Sequence, residues 1–138
     1  MNAGEAAARE ALIHVLQSAY SGELAAGLAY AGHWRSARKV EERDRIRSIE
    51  AEEWRHRESV GGLLHKLNAG PSQEREFIFR AIGRVLGPLC SLSGWLAPMY
   101  GAGFLESRNI VEYEVAARLA AESGHREFVE CLLEMAEV

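Results

Sequence analysis

Among the side chains of this sequence, Glu53 and His56, in Glu53-Trp54-Arg55-His56, are the pair best placed for chemistry. Residues three apart on a helix share a face, so one carboxylate and one imidazole converge on a common point. Spacing alone is a weak signal, because Glu122-Ser123-Gly124-His125 repeats it across a Ser-Gly break where a helical pair cannot form. Register singles out the first copy: Glu53 and His56 continue an apolar stripe through Ile46, Ile49, Val60 and Leu63 at steps of three and four. Two more stripes carry an acid in phase with their apolar residues. One is Leu12, Leu16, Ala19, Glu23, Gly27 and Tyr30; the other is Met99, Gly103, Glu106, Ile110, Tyr113 and Ala117. An inward carboxylate is costly unless it is protonated, paired or bound to a cation. Three such acids and one histidine make a hard oxygen and nitrogen donor set suited to iron or manganese, in which a carboxylate bridges two metals and the imidazole caps one. The competing reading pairs Glu23 with an arginine or a hydroxyl such as Tyr113, and leaves Glu53 and His56 as a satisfied pair within one helix.

Positioning these groups takes long helices. Residues 5–30 are rich in Ala, Leu and Glu with helical periodicity, and Gly32 and His33 mark the end of that helix. A turn over residues 34–39 leads to a second helix, 41–67, stopped by Asn68-Ala69-Gly70-Pro71, and the two form an antiparallel hairpin. Ser72 is the expected N-cap of a third, apolar helix through Phe77, Ile82, Val85 and Leu86, which Gly87-Pro88 kinks or ends. Another helix runs from Ala97-Pro98 to about residue 121, and a last one begins near His125. Glu50, Glu52 and Glu58 are expected to form a solvated surface with Arg55 and Arg57, while Glu112 and Glu114 sit in a less favourable phase than Glu106. Residues 85–105 carry no charge and are long enough to span a bilayer. Their many Gly, Pro and Ser residues instead suggest two buried helix ends joined by a bend, with docking onto a membrane surface or an apolar substrate channel as alternatives.

A length of 138 residues implies one domain, residues 1–138. With 16 basic and 20 acidic residues interleaved, the net charge is −4 and nucleic-acid binding is not expected. Cys90 and Cys131 lack metal or redox spacing partners and read as free thiols of a reducing cytosol. Residues 1–11 lack the basic start and apolar run of a signal peptide, so the expected location is cytoplasmic, or peripheral to the inner membrane face. His14, His33 and His65 have no in-phase acid and read as surface or helix-end residues; the basic turn Arg35, Arg38 and Lys39, with Trp34, reads as helix-end solvation, with anionic lipid as the alternative contact.

The segments around the acids are similar to a known family. Ser21-Gly22-Glu23-Leu24-Ala25-Ala26-Gly27-Leu28-Ala29-Tyr30-Ala31-Gly32, Glu53-Trp54-Arg55-His56, and Phe104-Leu105-Glu106 seven residues before Tyr113, together resemble the ferritin-like di-iron carboxylate proteins, most closely the demethoxyubiquinone hydroxylase branch. That resemblance implies an all-α, ferritin-like four-helix bundle with an additional apolar crossover helix supplied by residues 77–96. It implies two irons, with manganese as the alternative metal, that activate dioxygen to oxidise a quinone-like or other organic substrate, or iron itself. Glu23 would be a terminal ligand of one metal, Glu53 a bridge, His56 a terminal ligand beside Glu23, and Glu106 a terminal ligand of the second metal, with Tyr113 hydrogen-bonded to a ligand carboxylate. The family's second Glu-x-x-His is not in this sequence. The stripe Phe128, Leu132, Met135 would place it one and four residues beyond Val138, so the last helix is expected to be truncated and the site about half present. The alternative function is a non-catalytic ferritin-like bundle or scaffold with an incomplete metal site; a homo-oligomer and peripheral membrane contact are also expected.

Overall fold

Asn2 starts the first helix by accepting a 2.8 Å hydrogen bond from the Glu5 amide, satisfying one of the donors that a helix start leaves unpaired. The computed structural model describes residues 1–92 and 96–137, with side chains described for 1–89 and 107–137. Helix α1 (Ala3–Ser36) runs past the expected close at Gly32 and His33. Gly32 is there for a different reason: a Cβ at this position would collide with the Cα of Gly87 on another helix. The turn to α2 (Val40–Lys66) is correspondingly short. At the far end of α2, Asn68 adopts a left-handed φ of 55° and the Ala69 amide reaches back to the Leu64 carbonyl at 2.9 Å, which is the stop expected from the Asn-Ala-Gly-Pro run.

Helices α1 and α2 lie antiparallel. Contacts between them fall in one helix as they rise in the other: Trp34 with Glu50, Gly27 with Trp54, the Tyr20 carbonyl with Arg57, and the Leu67 carbonyl with Arg9. Helix α3 (Gln73–Leu92) begins after Ser72, whose hydroxyl accepts from the Arg75 amide at 3.4 Å. It runs parallel to α1, as Ser21 with Glu76, Leu28 with Gly83 and Gly32 with Gly87 show.

Two expectations about α3 are corrected. Of the two outcomes expected at Gly87-Pro88, a kink or an end, the end does not occur: the helix continues through both residues to Leu92. Its large apolar residues are not buried: Phe77 is 77% exposed, Val85 59%, Leu89 47% and Ile82 42%. Gly83 and Gly87 press against the α1 backbone, and this close approach leaves room for glycine on the inner face while the bulky side chains point outward.

Helix α4 (Leu96–Glu122) closes at Gly124, whose φ of 82° suits glycine, with the His125 amide bonded to the Ala120 carbonyl at 2.8 Å. A single 3₁₀ turn (Arg126–Phe128) precedes α5 (Val129–Glu137), which packs on α4. The architecture of the described residues is an all-α bundle with α1 at its centre, touching α2, α3 and α4. Leu12, Leu16, Val60, Leu64, Leu67, Phe128 and Leu132 form the core, each at most 2% exposed and each contributing about 1.5–3 kcal/mol by burial. No helix among the described residues is long and apolar enough to cross a membrane.

Arg57 ties three helices together. Its guanidinium makes a paired contact to the Glu76 carboxylate of α3 at 3.1 and 3.0 Å, donates to the Tyr20 carbonyl of α1 at 2.9 Å, and lies 3.8 Å above the Tyr20 ring. Ser21 adds a 3.3 Å hydrogen bond to the same carboxylate. The expected solvated surface on α2 is therefore corrected at two positions. Arg57 is withdrawn into this junction, and Glu50 accepts the indole N–H groups of Trp34 and Trp54 at 2.7 and 2.8 Å.

Candidate metal centre

Glu23 lies two turns before the Gly27 to Tyr30 end of its stripe, at a point where α1 is covered on several sides, and it is fully buried. Glu53 of α2 is 9% exposed, and His56, one turn on, is nearly covered as well. The antiparallel pairing of α1 with α2 brings the three together. One ligand atom from each of Glu23, Glu53 and His56 lies within 4.8 Å of the others, and His56 Nδ1 is 3.6 Å from Glu23 Oε1.

Helix α4 supplies the roof. Tyr113, 1% exposed, donates its hydroxyl to Glu23 Oε1, and its ring meets the His56 imidazole edge-on with centroids 6.2 Å apart. Burial, and then the Glu23 charge, push the phenol far above its ordinary ionisation range, so this hydroxyl remains a donor. Glu23 Oε2 is also buried, and no nitrogen or hydroxyl donor among the described residues reaches it. Burial raises the Glu23 carboxyl above the usual carboxylate range; the neighbouring Glu53 carboxyl and the Tyr113 hydroxyl oppose that rise, and the Glu112 charge adds to it.

A cavity of about 50 Å³ opens among these groups, lined by Glu23, Glu53, His56 and Tyr113 together with Asn109, Ile110 and Met135. Such a volume admits a small hydrated ion but no organic molecule of any size. Two carboxylates and an imidazole around it form a donor set of the kind that iron and manganese accept. Comparison with protein-family models, with curated proteins and with solved structures returns no match for this chain. Geometry and donor chemistry therefore carry the reading of the site.

Of the residues expected from sequence, the structure brings Glu23, Glu53, His56 and Tyr113 into one cluster. Glu106 belongs to α4, two turns before Tyr113, and its side chain lies outside the described residues. Asn109 and Met135 were not singled out as site residues, although Asn109 is one turn from Tyr113 and Met135 was already in the inward stripe of the last helix. Glu112 is half-buried beside the site rather than directed wholly to water. Burial pushes its carboxyl up while Arg108, at 3.1 Å, and Arg75 hold it down, and its Oε2 takes no hydrogen bond from the described residues. His33, expected at a helix end, is in the last turn of α1 but buried, at 8% exposure.

Proposed function

We propose that this is a ferritin-like bundle in which Glu23, Glu53 and His56 hold iron or manganese, and that the protein is an oxidoreductase using dioxygen. The observation that carries this reading is Glu23 itself. It is wholly buried, one oxygen is fixed by Tyr113, the other faces no protein donor among the described residues, and a second carboxylate and an imidazole converge beside it. A cation compensates such a cluster where no lysine or arginine does. Three donors suffice for one ion; Glu106 of α4 is the proposed ligand of a second.

Within the site, each residue of the chain has a task that its placement supports. Tyr113 orients Glu23 and keeps one of its oxygens hydrogen-bonded, leaving the other for the cation. Ile110 and Met135 provide apolar walls that restrict water around the carboxylates. When bound, iron in this donor set supplies one-electron redox chemistry with dioxygen. The substrate proposed is quinone-like, an apolar ring met at an apolar surface, and the exposed side chains of α3 support contact with such a surface.

Metal analysis tests the reading directly. Protein purified without chelator, or reloaded with ferrous or manganous ion, should retain one to two ions per chain, and the iron-loaded form should consume dioxygen. Glu23→Gln should abolish retention while raising metal-free stability by about 1 kcal/mol, because it removes a buried charge whose partner is the cation. A metal-free protein whose thermal stability ignores both ions would sink the proposal. A loss of several kcal/mol in metal-free Glu23→Gln would show instead that the acid serves an internal pair.

A further inference from the structure

A second place in the fold combines space with uncompensated charge, away from the carboxylates. Where α1 and α3 run side by side, Gly32 and Gly87 meet through their backbones, and a Cβ at Gly83 would lie 2.8 Å from that of Leu28. Without side chains from these glycines, an open cavity of about 440 Å³ remains along the joint, lined by apolar groups of Leu28, Ala31 and Pro88 and by the side chains of Arg35 and Arg84. Among the described residues no acidic side chain lines it.

Neither Arg35 nor Arg84 makes an ion pair among the described residues, and what distinguishes them is that both line one cavity. In a chain of net charge −4, two cations on neighbouring helices thus share one cavity with no carboxylate of the described residues between them. Arg35 is also partly held in place: its guanidinium carbon lies 5.6 Å from the centre of the Trp34 ring, and that indole is anchored to Glu50 at 2.7 Å. A preordered guanidinium loses less freedom on taking up an oxyanion than a free one does.

We propose that the α1–α3 groove binds a phosphate-bearing amphiphile, with Arg35 and Arg84 supplying charge for the phosphate and Leu28, Ala31 and Pro88 receiving the apolar part. Arginine is suited to this because its planar fork of N–H donors matches phosphate oxygens. The volume is ample for a phosphate group with a short alkyl chain, in contrast to the small cavity at the metal centre. The site is independent of the metal reading and shares no residue with it.

Calorimetric titration with hexyl phosphate, with inorganic phosphate as competitor, tests the proposal. Saturable binding is expected, displaced by inorganic phosphate at higher concentration. Arg35→Gln and Arg84→Gln should each weaken it by about tenfold or more, the loss of one charge-assisted contact. Both positions are exposed, so helicity by circular dichroism and metal content should match the parent protein. Absence of saturable binding, or affinity unchanged in both variants, would overturn the groove and leave Arg35 as a cation serving the end of α1. A parallel arm uses phosphatidylglycerol and phosphatidylcholine vesicles. Binding to the anionic vesicles without binding of hexyl phosphate would overturn the groove as a site for a single phosphate-bearing molecule, assigning both arginines to contact with a charged lipid surface.

Discussion

The phenol of Tyr113 on α4 donates to the Glu23 carboxylate of α1, joining two buried residues 90 positions apart. This bond places a donor on one carboxylate oxygen while the other remains with the Glu53 and His56 cluster. Tyr113→Phe should therefore have two effects. Metal-free stability should fall by about 1–3 kcal/mol, since a buried carboxylate loses its hydroxyl donor. Affinity for ferrous or manganous ion should fall about 10–100-fold, as is usual when the partner orienting a ligand is removed. Urea melts and metal titrations of the variant check both; undiminished metal affinity would show that Tyr113 does not orient Glu23.

Arg57 and Glu76 form the most enclosed ion pair with an arginine among the described residues, their side chains 17% and 8% exposed. Removing one partner strands the other's charge. Glu76→Ala is expected to cost about 3 kcal/mol, while Arg57→Met with Glu76→Leu should recover most of that loss, because an apolar pair of similar volume avoids the desolvation of both ions. A double-mutant cycle by urea denaturation measures the coupling. Additive losses in the cycle would show that the two side chains act independently in spite of their paired geometry.

Features of the fold are legible in the sequence to the extent that they are local to one helix. Glu23, Glu53, His56 and Tyr113 were legible because a core stripe is a property of one helix at a time, and an acid in phase with leucines is visible without knowing what packs against it. The stops at Asn68 and Gly124 and the cap at Ser72 were legible for the same reason. What failed required knowledge of a second helix. Gly32 looks like a terminator within α1, and only its contact with Gly87 shows why a glycine stands there inside a continuing helix. Phe77, Ile82 and Val85 mark α3 as an apolar helix, and only the backbone approach of Gly83 to α1 shows which of its faces is turned inward. Arg57 reads as one charge among many on α2, since its partners lie 19 and 37 residues away.

The glycines provide an internally controlled test of helix packing. A Cβ at Gly62, within α2, meets nothing within 4 Å, so Gly62→Ala should stabilise the protein by about 0.5–1 kcal/mol through the helix preference of alanine. At Gly83 the added Cβ would lie 2.9 Å from the Ala25 carbonyl oxygen and 3.0 Å from the Ala25 Cα, backbone atoms that cannot swing aside. Gly83→Ala should therefore destabilise by about 1–3 kcal/mol despite the same gain in helix preference. Thermal or urea melts of the two variants should shift in opposite directions, and a stabilising Gly83→Ala would show that α1 and α3 can separate at no cost.

His33 is expected to give the folded protein a pH dependence separate from the Glu23, Glu53 and His56 cluster. Burial lowers its ionisation below the ordinary histidine value of 6.5, and the Glu42 charge only partly opposes that shift. As pH falls, the unfolded chain thus takes up this proton first, and protonation favours unfolding. The stability associated with neutral His33 is complete above about pH 7, begins to be lost near the ordinary histidine value, and stops falling once the pH is below that of the folded group. Glu42 is at the opposite side of the short turn to α2, so Glu42→Gln should lower the folded ionisation further and widen the window of loss. His33→Gln should remove this part of the slope, so that its stability falls less steeply than the parent's between about pH 7 and pH 5 while the two curves run parallel above about pH 7.5. Denaturation midpoints across that range, with the imidazole followed by nuclear magnetic resonance, provide the measurement; a folded His33 that titrates at its ordinary value would abolish the expected difference, and one that titrates above it would reverse it.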